Sequence, residues 1–149
     1  MLKTLAVTLA AVLAAGPAAA FSRLDADRLV LIRTAKATGV TFYHDTQKCQ
    51  DEPRLMGFFL PVRGEVHLCF ENMKPYGADP DLTLKHELLH AAQTCKGGLL
   101  DPTINHLKDA QVPLDYYPKE QLMTEAEARA LAPRLPLLEV ARILVTHCR

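Results

Sequence analysis

The hydrophobic pattern along the chain changes period several times, and each change predicts an element. In "SRLDADRLVLIRTAKATG", Leu24, Arg28, Leu29, Leu31 and Ile32 recur at helical spacing, with Ser22 as a possible cap and Gly39 as the stop. "VTFYH", residues 40–44, reads as a strand, and "LMGFFLPV" followed by "RG" and "EVHLCFE" reads as a hairpin. In its second strand Val66, Leu68 and Phe70 share one face, predicted to turn to the core. Glu65, His67, Cys69 and Glu71 share the other, partly polar face. "ADPDLTLKHELLHAAQTCKGG" has the clearest boundaries, with Asp79 placed to cap, Pro80 at the first helical position and Gly97 just past the end. After a loop-rich interval with a second Asp-Pro start at Asp101-Pro102, "YPKEQLMTEAEARAL" predicts a helix beginning near Pro118 and stopped by Pro133 and Pro136. "LLEVARILVTHC" predicts a last amphipathic helix.

The first twenty residues differ in composition. A short positive start, the apolar run "TLAVTLAAVLAA" and the small-residue ending "GPAAA" predict a secretory signal peptide, residues 1–20, cut after Ala20. Residues 21–149 then form a single domain, since 149 residues that are 49% hydrophobic suffice for one core. The apolar run falls short of the roughly 20 residues of a spanning helix, so no membrane span is expected after the leader is removed. The chain has 17 basic and 17 acidic side chains; removing Lys3 with the leader leaves 16 basic, which points away from nucleic acid. All four cysteines lie beyond the leader, and in an oxidising periplasmic or secreted setting they predict disulfides. The expected pairing joins Cys49 to Cys69 within the strand region and Cys95 to Cys148, tying the tail to the central helix.

The chemistry centres on "HELLH". His86 and His90 are four residues apart on one helix face, so both imidazoles can reach a single zinc ion, and Glu87 stands one step round, beside the ion rather than on it. Such a glutamate can act as general base toward a water that the ion activates. A third ligand must come from elsewhere. Lys96 and Gln93 occupy the positions where an extended signature needs a third histidine and a glycine. Cys95 lies about 140° round the helix from His90, so a disulfide is its better reading. Two carboxylates remain. Glu127 shares a core-facing stripe with Met123, Ala130 and Leu131, where a carboxylate needs a partner, and it is the expected ligand. Glu125, on the face of Gln121, Leu122 and Arg129, is the alternative; its i, i+4 spacing to Arg129 suggests a solvated pair.

A HExxH helix after a β-hairpin and before a helix carrying a glutamate resembles the gluzincin branch of zinc metallopeptidases. The wording "HELLHAAQTC" with "EAEARAL" is more narrowly similar to the mitochondrial inner-membrane peptidase family that processes an ATP synthase subunit, over about 15 to 20 residues in two pieces. The resemblance implies an α+β, zincin-like fold, a small antiparallel sheet packed on the HExxH helix, with His86, His90 and Glu127 as zinc ligands and Glu87 as catalytic acid/base. It also implies a tyrosine or histidine beside the oxyanion, for which Tyr116, Tyr117 and His106 are the candidates. His44, His67 and His147 carry no spacing signal.

The expected function is therefore an exported zinc metallopeptidase acting on a peptide or protein, with residues 65–71 as the strand along which substrate pairs. A zinc-binding assembly module of the cell envelope without turnover is the alternative, and a disulfide-stapled structural protein without metal is the third reading.

Overall fold

The computed structural model describes residues 17–108 and 117–148, with side chains from residue 25 onward. The expected leader up to residue 16 and Tyr116 lie outside the described residues. Six α-helices and three short strands follow in the order α1 (Pro17–Ala37), β1 (Thr41–His44), α2 (Gln47–Asp51), β2 (Gly57–Leu60), β3 (Glu65–Leu68), α3 (Phe70–Met73), α4 (Pro80–Lys96), α5 (Lys119–Leu131) and α6 (Leu137–His147). Single 3-10 turns cover Lys74–Tyr76 and His106–Lys108. No α-helix begins at Asp101-Pro102. The first helix starts earlier than Ser22 and runs through the expected cleavage point.

The sheet is mixed rather than purely antiparallel. β2 and β3 form the expected hairpin, pairing Phe59 with Val66 and Phe58 with His67, while β1 adds to the far side of β3 in parallel, pairing Phe42 with Val66. The order β1-β3-β2 makes β3 the central strand, with both backbone edges already used. Residues 65–71 are thus unavailable for pairing another chain, and the strand ends at Leu68, where Phe70 turns into α3. Its second face is not open either. His67 is buried between the rings of Phe58 and Tyr43, at centroid distances of 4.3 and 5.0 Å, and its Nε2 faces Glu65.

Helix α4 is the keel of the molecule. Asp79 accepts from the Asp81 amide at 2.9 Å, satisfying one of the free donors of the first turn, and Pro80 has none to satisfy. At the other end Gly97 adopts φ 80°, a left-handed conformation that glycine takes without strain, and its amide returns to the Gln93 carbonyl. Leu84, Leu88, Ala91 and Ala92 bury one flank of α4 against Val66 and Leu68 of β3 and Val140, Ala141 and Leu144 of α6. Each fully buried leucine here contributes roughly 1.5–3 kcal/mol. Leu89 faces the opposite way, onto Ala128 and Ala132. The alanines of α5 (Ala126, Ala128 and Ala130, all buried) have short side chains that let this helix lie close to α4. Arg28 of α1 forks onto both oxygens of Asp81, at 2.5 and 2.8 Å, fixing the first helix to the start of α4.

Both expected disulfides are present, Cys49–Cys69 and Cys95–Cys148. The first anchors α2 to the end of β3. Asn72 assists by donating to the carbonyls of Cys49, Glu52 and Leu55, which holds the connection into β2 in place. No helix among the described residues is long and apolar enough to cross a membrane.

Candidate metal centre

One turn of α4 carries His86 and His90 to the same side, and their Nε2 atoms lie 3.1 Å apart with the rings edge to face. Glu125, on α5, closes the triangle. Its Oε2 is 3.0 Å from His90 Nε2 and its Oε1 is 3.4 Å from His86 Nε2. Glu87 completes the cluster, since His86, Glu87 and His90 offer ligand atoms within 4.8 Å of one another. The two imidazole nitrogens face each other and each faces a different oxygen of Glu125, so the contacts of this cluster can be bridged by protons or by a cation held among the four atoms. A tetrahedral zinc with bonds of about 2.0–2.1 Å spaces its ligand atoms about 3.3 Å apart, so the imidazole, imidazole and carboxylate set fits a divalent zinc-like ion in number, chemistry and spacing.

Glu127, the carboxylate expected to complete the set, is elsewhere. It is fully buried, as its apolar stripe implies, but its charge is met by protein donors: the Leu100 and Asp101 amides and Gln93 Nε2, each at 2.8 Å. Those three bonds satisfy the carboxylate and pin the turn after α4. Glu125 makes its predicted pair with Arg129, at 2.5 Å, yet this pair lines the cleft rather than open solvent. Arg129 also donates to the Tyr117 hydroxyl at 2.7 Å and lies over the Tyr117 ring.

The electrostatics follow from crowding these groups together. Burial would raise the Glu125 carboxyl, but the hydrogen bonds from His86 and His90 and their charges outweigh it and hold the group far below the usual carboxylate range. Burial would lower His90; the bond to Glu125 and the charge of Glu87 overcome this, and the imidazole is shifted up. Glu87 is shifted up because desolvation dominates the pull of the two histidines. A carboxylate that resists losing its proton in this way suits a group that must take and return one.

A cleft of about 1080 Å³ opens over the histidine pair. Its walls come from β2 (Gly57, Phe58, Phe59), from the segment Arg54–Met56 that Asn72 holds, and from Tyr117, Thr124, Glu125 and Arg129. β2 approaches α4 so closely that Gly57 has no room for a side chain: a Cβ there would lie 2.7 Å from Thr83 Cγ2 and 3.0 Å from the His67 carbonyl oxygen. Of the oxyanion candidates, Tyr117 lines the cleft. Its oxygen accepts from Arg129, and its hydroxyl also interacts with the Glu125 carboxylate. His106 is buried away from the cleft, and both its ring nitrogens lack a hydrogen-bond partner among the described residues. His44 and His147 lie outside the site.

Two residues of the site escape the pattern of the HExxH signature, Gln93 and Arg129. Gln93 lies three residues past His90 and therefore on its face, which is the one sequence signal it gives. Comparison of the chain with protein-family models, curated proteins and solved structures gives no match.

Proposed function

We propose that the chain is an exported zinc-dependent peptidase in which His86, His90 and Glu125 hold the ion and Glu87 serves as the general base. The observation that carries this reading is the convergence of two imidazole nitrogens, 3.1 Å apart, on the Glu125 carboxylate, one oxygen 3.0 Å from His90 and the other 3.4 Å from His86, in the wall of an open cleft with a desolvated glutamate beside them. When bound there, zinc supplies polarisation of a scissile carbonyl and acidification of a water. The remaining work belongs to the protein. Glu87 takes the proton of the attacking water and returns it to the departing amine. Tyr117, supported by Arg129, donates its hydroxyl toward negative charge developing on the carbonyl oxygen.

β2 supports a peptide substrate. It is an edge strand whose residues line the cleft, so an extended peptide can add to its free backbone side and pass over the histidines. This arrangement, a small sheet laid on a HExxH helix with a carboxylate from a later helix, is what the gluzincin resemblance implies, with Glu125 in the role first given to Glu127. Two disulfides and the absence of a membrane-crossing helix among the described residues are compatible with an exported protein.

The test is hydrolysis of a broad peptide library by the wild type and by Glu87→Gln, with zinc content measured on both. Wild-type cleavage and at least a hundredfold loss in Glu87→Gln, with zinc retained, are expected. Zinc binding without cleavage of any peptide by the wild type would instead mark an assembly module built on the same site.

A further inference from the structure

Gln93 is 3% exposed and makes three hydrogen bonds, and these leave its amide only one orientation. Its Nε2 faces the Thr124 carbonyl at 2.9 Å and Glu127 Oε2 at 2.8 Å, both of which only accept. The amide nitrogen must donate to both. The amide oxygen is thereby turned to His90 Nδ1, 2.8 Å away, and an oxygen can only accept. His90 Nδ1 must therefore carry a proton, while Nε2 points to where His86 and Glu125 converge, 3.0 Å from Glu125 Oε2, and is the nitrogen whose proton a metal would displace. Glu127 is held from behind by the Leu100 and Asp101 amides, so the relay ends in backbone.

We propose that Gln93, braced by Glu127, is a positioning residue that locks His90 in the Nδ1-protonated form and fixes its ring plane, so that Nε2 is presented as a lone pair to a zinc ion. The zinc clause rests on the function proposed above; the lock itself is a property of the metal-free protein. A histidine free to turn or to move its proton to Nε2 would have to reorganise before ligating a metal, and partners of this kind are worth about 10–100-fold in metal affinity. The proposal also gives Glu127 a use: the carboxylate serves the site through two hydrogen bonds instead of ligating at it.

Two measurements test this. The first is 15N NMR of histidine-labelled, zinc-free wild-type protein, reading whether His90 Nδ1 carries a proton. A proton on Nδ1, hydrogen-bonded to the Gln93 amide oxygen, is expected, and a bare Nδ1 overturns the lock, whether or not the protein binds zinc. The second is chelator-competition measurement of zinc affinity in wild type and Gln93→Met, with circular dichroism to establish that the variant is folded. About 10–100-fold weaker binding in the folded variant is expected, and unchanged affinity refutes the positioning role. A wild type that binds no zinc would remove the metal reading and leave the lock to be decided by the first measurement, which needs no variant.

Discussion

At the scale of single residues, Glu125 and Glu127 sit two positions apart on one helix and carry opposite burdens. Glu127 holds three donors in a dry interior, so Glu127→Ala strands two backbone amides and the Gln93 amide and is expected to cost roughly 3–5 kcal/mol of stability. Chemical denaturation would measure this, and the folded fraction should still take up zinc when the metal is saturating. Loss of zinc with unchanged stability would restore Glu127 as a ligand. The sequence placed Glu127 correctly on a buried face, but Glu125, expected on a solvated one, is buried beside the cleft. The sequence could not say what stands opposite each face. A carboxylate on a core-facing stripe needs compensation, but backbone amides compensate as well as a cation does, and the turn at Leu100–Asp101 that supplies them leaves no mark in the hydrophobic pattern. The i, i+4 pair of Glu125 with Arg129 was equally legible, yet an ion pair does not by itself mean bulk solvent: here it borders a cleft.

At the scale of elements, β2 and α4 must lie almost in contact for a peptide on the strand to meet the histidines, and Gly57 makes that approach possible. Gly57→Ala is expected to push β2 away from Thr83, costing about 1–3 kcal/mol. Because the proposed ligands stand on α4 and α5, zinc binding should survive while peptide turnover falls mainly through a raised KM. Equal KM in the folded variant would argue against substrate lying along β2. The α4 boundaries were readable because Asp79, Pro80 and Gly97 act locally, through one cap bond, one missing donor and one left-handed φ. The parallel pairing of β1 with β3 was not readable. It joins residues that are distant along the chain, and four-residue strands carry too little alternation to declare their neighbours. The short α2 and α3 were missed for a related reason, since helices of five and four residues span barely a turn and cannot show a period.

At the scale of the whole molecule, stability is coupled to pH through the same cluster. Glu125 is depressed below its ordinary 4.5, so its contribution is present above that pH and is lost as the pH falls toward its folded value. His90 is raised above 6.5, so its contribution is complete below that pH and is lost as the pH climbs through its folded value. Glu87, raised above 4.5, adds a penalty for ionising that grows on the alkaline side and biases the optimum toward acid. The metal-free protein should therefore have its highest Tm between about pH 4.5 and 6.5, as scanning calorimetry in a chelator would record. Zinc should reverse this, binding more tightly as the pH rises, because it must displace the proton on His90. A metal-free Tm that keeps rising through pH 8 would contradict the assigned pairing. The centre depends on the global fold as well, since α4 and α5 are brought together by packing around Leu89 and Ala128, and the far end of α4 is tied to the tail through Cys95–Cys148. The most direct test of the account is the zinc content of wild-type protein and of Glu125→Ala, purified under identical conditions and shown to be folded. One equivalent per chain in the wild type and a loss of nearly all of it in Glu125→Ala is the expected result. Absence of zinc from the wild type, or a full equivalent retained without Glu125, would contradict it.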